Sequence, residues 1–327
     1  MTAVDDGPQL ETEQAAEITT TILERISESV IASESFLQTI MTGAIAKQHV
    51  LIEDVPGTGK TLTAQLLADA LGLEFSRIQF TPDLLPSDIT GSTVFNEGNN
   101  SFEFNKGPVF ANIVLADEIN RAPPKTQAAL LEVMEEKQVS TGDTTRRLPD
   151  PFFVIATQNP IDQEGTFELP ESLRDRFMIK TSIGYPDEKA ERELLDRRLA
   201  REQSTPSIER VIDAEVFSKV QAMPEHVHVD TKIRDYILAV GRATRTDDRV
   251  EVGVSPRGIQ RLMEATRARA VIRGREFVVP DDVKSLASAV FAHRIVMSSA
   301  ALIEGITPES IVADVLGTIE VPAMQPT

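Results

Sequence analysis

The stretch HVLIEDVPGTGKT, residues 49–61, constrains what this chain can fold into more than any other. A short apolar run, residues 49–52, has the length of a buried strand. Pro56, Gly57 and Gly59 supply a turn, and Leu62, Leu66, Leu67 and Leu71 then recur at helical spacing. This order sets the free amides of a helix N-terminus at the end of a strand, where with the helix dipole they favour an anion. Gly57 and Gly59 let several N–H groups converge on phosphate oxygens, Lys60 reaches the β and γ phosphates, and Thr61 offers a hydroxyl to Mg²⁺. The motif therefore points to a nucleoside triphosphate with Mg²⁺, and the candidate contacts are Pro56, Gly57, Thr58, Gly59, Lys60, Thr61 and Leu62. Asp54 stands where the generic loop has glycine; Asp enters positive φ more readily than most residues, so the turn is expected to survive.

A second constellation follows in IVLADE, residues 113–118. A buried strand that ends on two carboxylates delivers them where open α/β sheets bind ligands. Asp117 would hold Mg²⁺ through water beside Thr61, and Glu118 would polarise the water that attacks the γ-phosphorus. Asn159, just past an apolar strand at 152–156, would bridge that water and the γ-phosphate; alone it would read as a turn residue before Pro160. Hydrolysis also needs positive charge on the transferred phosphoryl group. Arg174 and Arg176 in LPESLRDRF are candidates to act on a neighbouring subunit, or else surface ion-pair partners. Arg257, in the first turn after Ser255 and Pro256, would reach back to the same phosphate. His49, His226, His228 and His293 receive no role, because the pair at 226 and 228 lacks a third nearby metal ligand.

Composition narrows the class. Fifty-one acidic against 33 basic residues give a net charge of −18, which repels phosphate backbones and argues against general nucleic-acid binding. Arginine supplies 23 of the 33 basic residues, so the acidic, lysine-poor surface reads either as an adaptation to high salt or as an ordinary acidic protein. The chain has no cysteine, no signal pattern and no apolar run of membrane-spanning length, which suits a soluble protein of a reducing cytoplasm.

Residues 1–16 read as an acidic tail, and residues 17–46 as one or two helices. Further strands are expected at 74–80, 113–116, 152–156 and 177–183, with hairpins at 93–104 and 138–149 and a helix opened by Pro123 and Pro124. From residue 186 the pattern turns helical: 189–202, 213–222, 231–244, 256–272 and 280–296, with an extended piece at 276–279. The expected fold is α/β: a parallel five-stranded sheet in an αβα core over 17–185, an all-helical domain over 186–318 and a tail at 319–327.

These residues resemble the AAA+ ATPases and, within them, the MoxR family. The likeness is carried by NIVLADEINRAPPKTQAALLEVMEEKQV, FFVIATQNPIDQEGTFELPESLRDRF and SPRGIQRLMEATRARAVIRGREFVVPDDVKSLASAVFAHR. It implies a P-loop core with a helical lid, assembled as a ring, usually hexameric, with ATP between subunits. On this sequence Lys60 and Thr61 resemble the Walker A pair, Asp117 and Glu118 Walker B, Asn159 sensor 1, Arg176 of the DRF triplet the arginine finger and Arg257 of SPR sensor 2. SVIASESF replaces the Gly-Gln usual before the first helix, and Arg174 stands where the family is usually apolar. The family implies ATP hydrolysis coupled to chaperone-like maturation of protein clients, often with a von Willebrand factor A domain partner. A nucleic-acid motor and a metal-chelatase motor subunit are the competing readings.

Overall fold

Strand, turn and helix take their expected places in a computed structural model that describes residues 10–142, 144–160, 166–200 and 206–323. Helices α1 (Thr12–Ser27) and α2 (Glu34–Ile45) precede β1 (His49–Glu53) and α3 (Lys60–Leu71). Then come β2 (Phe75–Gln79), α4 (Pro86–Thr90), the hairpin β3 (Gly91–Asn96) and β4 (Ser101–Lys106), β5 (Ile113–Asp117) and α5 (Pro124–Glu136). A second hairpin, β6 (Gln138–Thr141) and β7 (Thr144–Arg147), leads to β8 (Phe153–Gln158), α6 (Glu171–Arg174) and β9 (Phe177–Thr181). The remainder comprises α7 (Glu188–Ala200), α8 (Ala214–Ala222), α9 (Thr231–Ala243), β10 (Val250–Val252), α10 (Pro256–Ile272), α11 (Pro280–Phe291), β11 (Val296–Met297), α12 (Ser299–Ile303) and α13 (Pro308–Thr318).

The central sheet is parallel throughout, in the order β2-β5-β8-β1-β9. Parallel strands covered on both faces read as continuous apolar runs, and every residue of β5 is buried. The pleat sends alternate side chains of β1 to opposite cores. Val50 and Ile52 join one cluster with Leu66 of α3, Leu262 of α10, and Leu286 and Phe291 of α11, whereas Leu51 packs with Val114, Val154, Leu130 and Val133 on the other face. The first cluster is continuous from core to lid, so the helical region is packed onto the sheet's flank.

Some elements stop short of expectation, α11 at Phe291 rather than 296 and β9 at Thr181 rather than 183, and two further differences concern the architecture. Helix α1 starts at Thr12, not near residue 17, and Ala15 is fully buried. The Gln14 side chain accepts the Glu11 amide, a reciprocal cap that ends the tail earlier; the rest of the expected tail, residues 1–9, lies outside the described residues. The second region is not wholly helical, because β10 and β11 form an antiparallel pair and His228 bridges Phe277. Strands of two and three residues are too short to show a two-residue period. Residues 201 and 202, expected at the end of α7, and 324–327 of the C-terminal tail also lie outside the described residues.

His49 begins β1 in a buried position, accepting at Nδ1 from the Val154 amide (3.0 Å) with Nε2 3.3 Å from the Met134 carbonyl. That pattern selects the neutral ring with the proton on Nε2. Burial lowers its pKa from 6.5 to about 4. Between these values the unfolded chain takes up a proton that the folded chain refuses, so this contribution is full above pH 6.5 and is lost as the pH falls towards 4. Urea unfolding should show stability declining from pH 7 to pH 5, with the His49→Gln variant losing about 2 kcal/mol less over that interval. An unchanged slope in the variant would assign the acid sensitivity elsewhere.

Candidate nucleotide site

The loop between β1 and α3 holds Gly57 at φ 86° and Gly59 at φ 89°. No atom lies within 4 Å of a Cβ built on Gly57, so the left-handed backbone, not crowding, calls for glycine there. Lys60 opens α3 and donates to the carbonyls of Asp54 (2.9 Å) and Val55 (2.7 Å). Burial pulls its pKa below the usual lysine value, against the carboxylates of Asp54, Asp117 and Glu118. Asp54 does not take positive φ, contrary to the expectation that it replaces the loop glycine in that conformation. Its carboxylate instead accepts from the amides of Val55 (2.8 Å), Ile183 (2.7 Å) and Gly184 (2.8 Å).

Asp117 is the last residue of β5, at the same C-terminal edge and two strands from β1, about 10 Å across the sheet. One carboxylate oxygen accepts from the Thr157 hydroxyl (2.6 Å) and the other from Arg77 Nη2 (2.6 Å) and Nε (3.1 Å). Glu118 follows at φ 57°, a left-handed conformation that costs a non-glycine residue on the order of 1 kcal/mol and turns the chain sharply out of the strand. Its amide donates to Thr157 Oγ1 (2.9 Å), and its Oε2 accepts from Gln79 Nε2 (2.7 Å) and Arg121 Nη1 (3.2 Å). Asn159 directly follows β8, the strand between β5 and β1, and Gln158 before it pairs with Glu53 at the loop's root. Lys60, Thr61, Asp117, Glu118 and Asn159 therefore meet at one edge.

Arg176 and Arg257 do not. Phe177, first in β9, is in register with His49, first in β1, while the phosphate loop leaves the last residue of β1. A five-residue strand, about 15 Å, separates the two edges. Arg257 pairs with Asp175 (3.4 Å) and Arg176 with Glu135, so within one chain neither arginine stands beside the phosphate loop, and a reach of Arg257 to the phosphate is not seen inside a single copy. The cause is the packing of the helical region. Arg294, 3% exposed, donates Nε to the Asp175 carboxylate (2.9 Å) and Nη2 to the carbonyls of Asp175 (3.1 Å) and Phe177 (2.8 Å), pinning the segment before β9 to the lid. Burial draws Arg294 down to about 10 against the attraction of Asp175. Burial also lowers Arg176, with Arg257 and Arg261 as nearby like charges, so these arginines form one cluster.

The donor set at the loop edge suits Mg²⁺, which takes a carboxylate and a hydroxyl alongside phosphate oxygens and waters; Asp117 and Thr61 would supply those two. Among the described residues no cluster of three or more His, Cys, Asp or Glu forms a metal cage of its own. Sequence reasoning missed Arg77, Gln79, Arg121 and Thr157. Arg77 and Gln79 carried a signal, alternate polar residues at the end of a strand that pairs with β5, and Gln79 lies in register with Asp117.

A glycine loop and two carboxylates at the C-terminal edge of a five-stranded parallel sheet, with a helical lid behind, define a P-loop ATPase of AAA+ architecture. Comparison with known proteins agrees. Residues 49–179 match the family described as ATPase family associated with various cellular activities (AAA), and residues 242–315 match an AAA lid domain. The chain is 40% identical to the chaperone MoxR1 of Mycobacterium tuberculosis over 94% of its own length and 84% of the relative's. Identity is 44% to YeaC of Bacillus subtilis, an uncharacterized protein, covering 93% and 94% of the two chains. It is 30% to protein MoxR of Methylorubrum extorquens, covering 83% and 85%. A crystal structure of an ATPase candidate from Cytophaga hutchinsonii superposes with a TM-score of 0.88 at 35% identity, covering 95% and 97%. The chain belongs to the MoxR family of AAA+ ATPases: it binds nucleotide and hydrolyses ATP.

Proposed function

We propose that this chain works as a ring, hexameric as is usual for the family, in which each ATP lies between two subunits and its hydrolysis remodels or matures a protein client. In this reading the loop from Pro56 to Leu62 holds the phosphates, and Thr61 and Asp117 hold Mg²⁺. The metal, when bound, neutralises charge on the β and γ phosphates. Glu118 takes a proton from the attacking water, Asn159 orients that water, and Arg176 and Arg257 of the next subunit meet the γ-phosphate. The observation that carries the reading is the separation of the arginine cluster from the phosphate loop by a full strand length within one chain. A site assembled from two copies brings the two edges together.

The client reading draws on the chaperone named among the relatives, and partners carrying a von Willebrand factor A domain, which the family resemblance implies, are the first to test. The net charge of −18 weighs against a nucleic-acid motor. Specific ATPase activity should rise with protein concentration and level off once composite sites are filled, and added DNA should leave it unchanged. A rate per chain that is constant down to nanomolar protein would contradict the ring, and DNA stimulation would favour the other motor.

A further inference from the structure

Asp54 departs from the generic phosphate loop, and its contacts give the departure a use. The residue is 6% exposed, and its carboxylate receives three backbone amides. One belongs to the phosphate loop, at Val55, and two to the exit of β9, at Ile183 and Gly184. Its own amide donates to Gln158 O (3.1 Å) at the end of β8, and its carbonyl accepts from Lys60 Nζ. Asp54 is thus a joint between the lysine, the loop, the strand carrying Asn159 and the segment that leaves the core.

That segment leads to α7. Gly184 has φ 74° with nothing within 4 Å of a Cβ position, so the backbone itself needs glycine there. Helix α7 begins at Glu188 and has no buried residue among those described; Leu194, Leu195 and Leu199 are 47%, 63% and 84% exposed. Arg197 Nη1 holds it to the Ser27 carbonyl (2.7 Å) at the end of α1. A helix anchored at its root, with its leucines largely exposed, shifts at small free-energy cost. A phosphate that draws on the Lys60 ammonium competes with the carbonyls of Asp54 and Val55, so occupancy of the loop bears directly on the residue that fixes this root.

We propose that Asp54 is a positioning residue that ties the phosphate loop to the root of α7, so that nucleotide in the loop sets the position of that helix. The proposal rests on the reading of residues 56–62 as the phosphate site. Hydrogen exchange with and without ADP or a non-hydrolysable ATP analogue tests it. In the native chain, nucleotide should change protection of amides 183–200 by about tenfold or more. In Asp54→Gly, which restores the generic loop, nucleotide affinity should stay within about threefold. There the change at 183–200 should vanish, and kcat should fall about tenfold with KM little altered. Should Asp54→Gly not fold, Asp54→Ala, which likewise removes the oxygen that accepts from both Ile183 and Gly184, is read in the same way. Nucleotide-dependent protection that persists in the variant, or is absent from the native chain, overturns the tether, as does an unaffected kcat. Lys60→Ala separates the two claims: if it binds nucleotide like the native chain, the phosphate-site reading fails, independently of Asp54.

Discussion

Glu118→Gln is expected to lower ATP turnover by about 10²–10⁴-fold while nucleotide still binds, because the amide cannot accept the proton that a general base removes. The substitution is nearly isosteric. The glutamine carbonyl oxygen can accept from Gln79 Nε2 and Arg121 Nη1 as Glu118 Oε2 does, so the side chain keeps its place. Neither Lys60 nor the loop glycines is disturbed, and affinity for ATP should change by less than about threefold. Phosphate release measured beside equilibrium nucleotide binding separates the two effects. Turnover near that of the native chain would show that another group activates the water, and a parallel loss of binding would show that the substitution damaged the loop.

Much of this site was legible in the sequence because its parts are local. A strand, a glycine turn and a helix are each encoded within about ten residues by apolar period and turn chemistry. The run Ile113 to Asp117 announces a strand that ends on a carboxylate. What could not be read depends on contacts between distant segments. Asp54 looked like a tolerated substitute in a turn, but its carboxylate serves amides 129 and 130 residues away. Arg257 looked like a residue reaching back from the helical region to the phosphate. Its position is set by the lid's packing on the segment before β9, through an Arg294–Asp175 contact spanning 119 residues that no periodicity records. The β10–β11 pair was invisible for a related reason, since its strands are too short to carry a pattern.

Arg176→Ala should reduce turnover by about 10³-fold or more, the scale on which an arginine acts upon a transferring phosphoryl group. Nucleotide affinity in the same variant should hold within a few-fold, because the residue lies about a strand length from its own chain's loop. Loss of its pair with Glu135 should matter little to folding, since that carboxylate is 31% exposed and water can replace the guanidinium. Arg257→Ala should follow the same division between binding and turnover. If either variant instead loses nucleotide in proportion to activity, the arginine serves its own chain's site and the edge-to-edge arrangement is wrong.

The central claim is that one chain contributes the phosphate loop and another the arginine cluster to each working site. Mixing Lys60→Ala with Arg176→Ala, each inactive alone, tests it most directly once subunits have exchanged. The loop of the second variant then meets the intact arginine of the first, and an equal mixture should recover activity at roughly one interface in four by random pairing. A mixture that stays as inactive as its components, although subunit exchange is verified, would contradict a shared site.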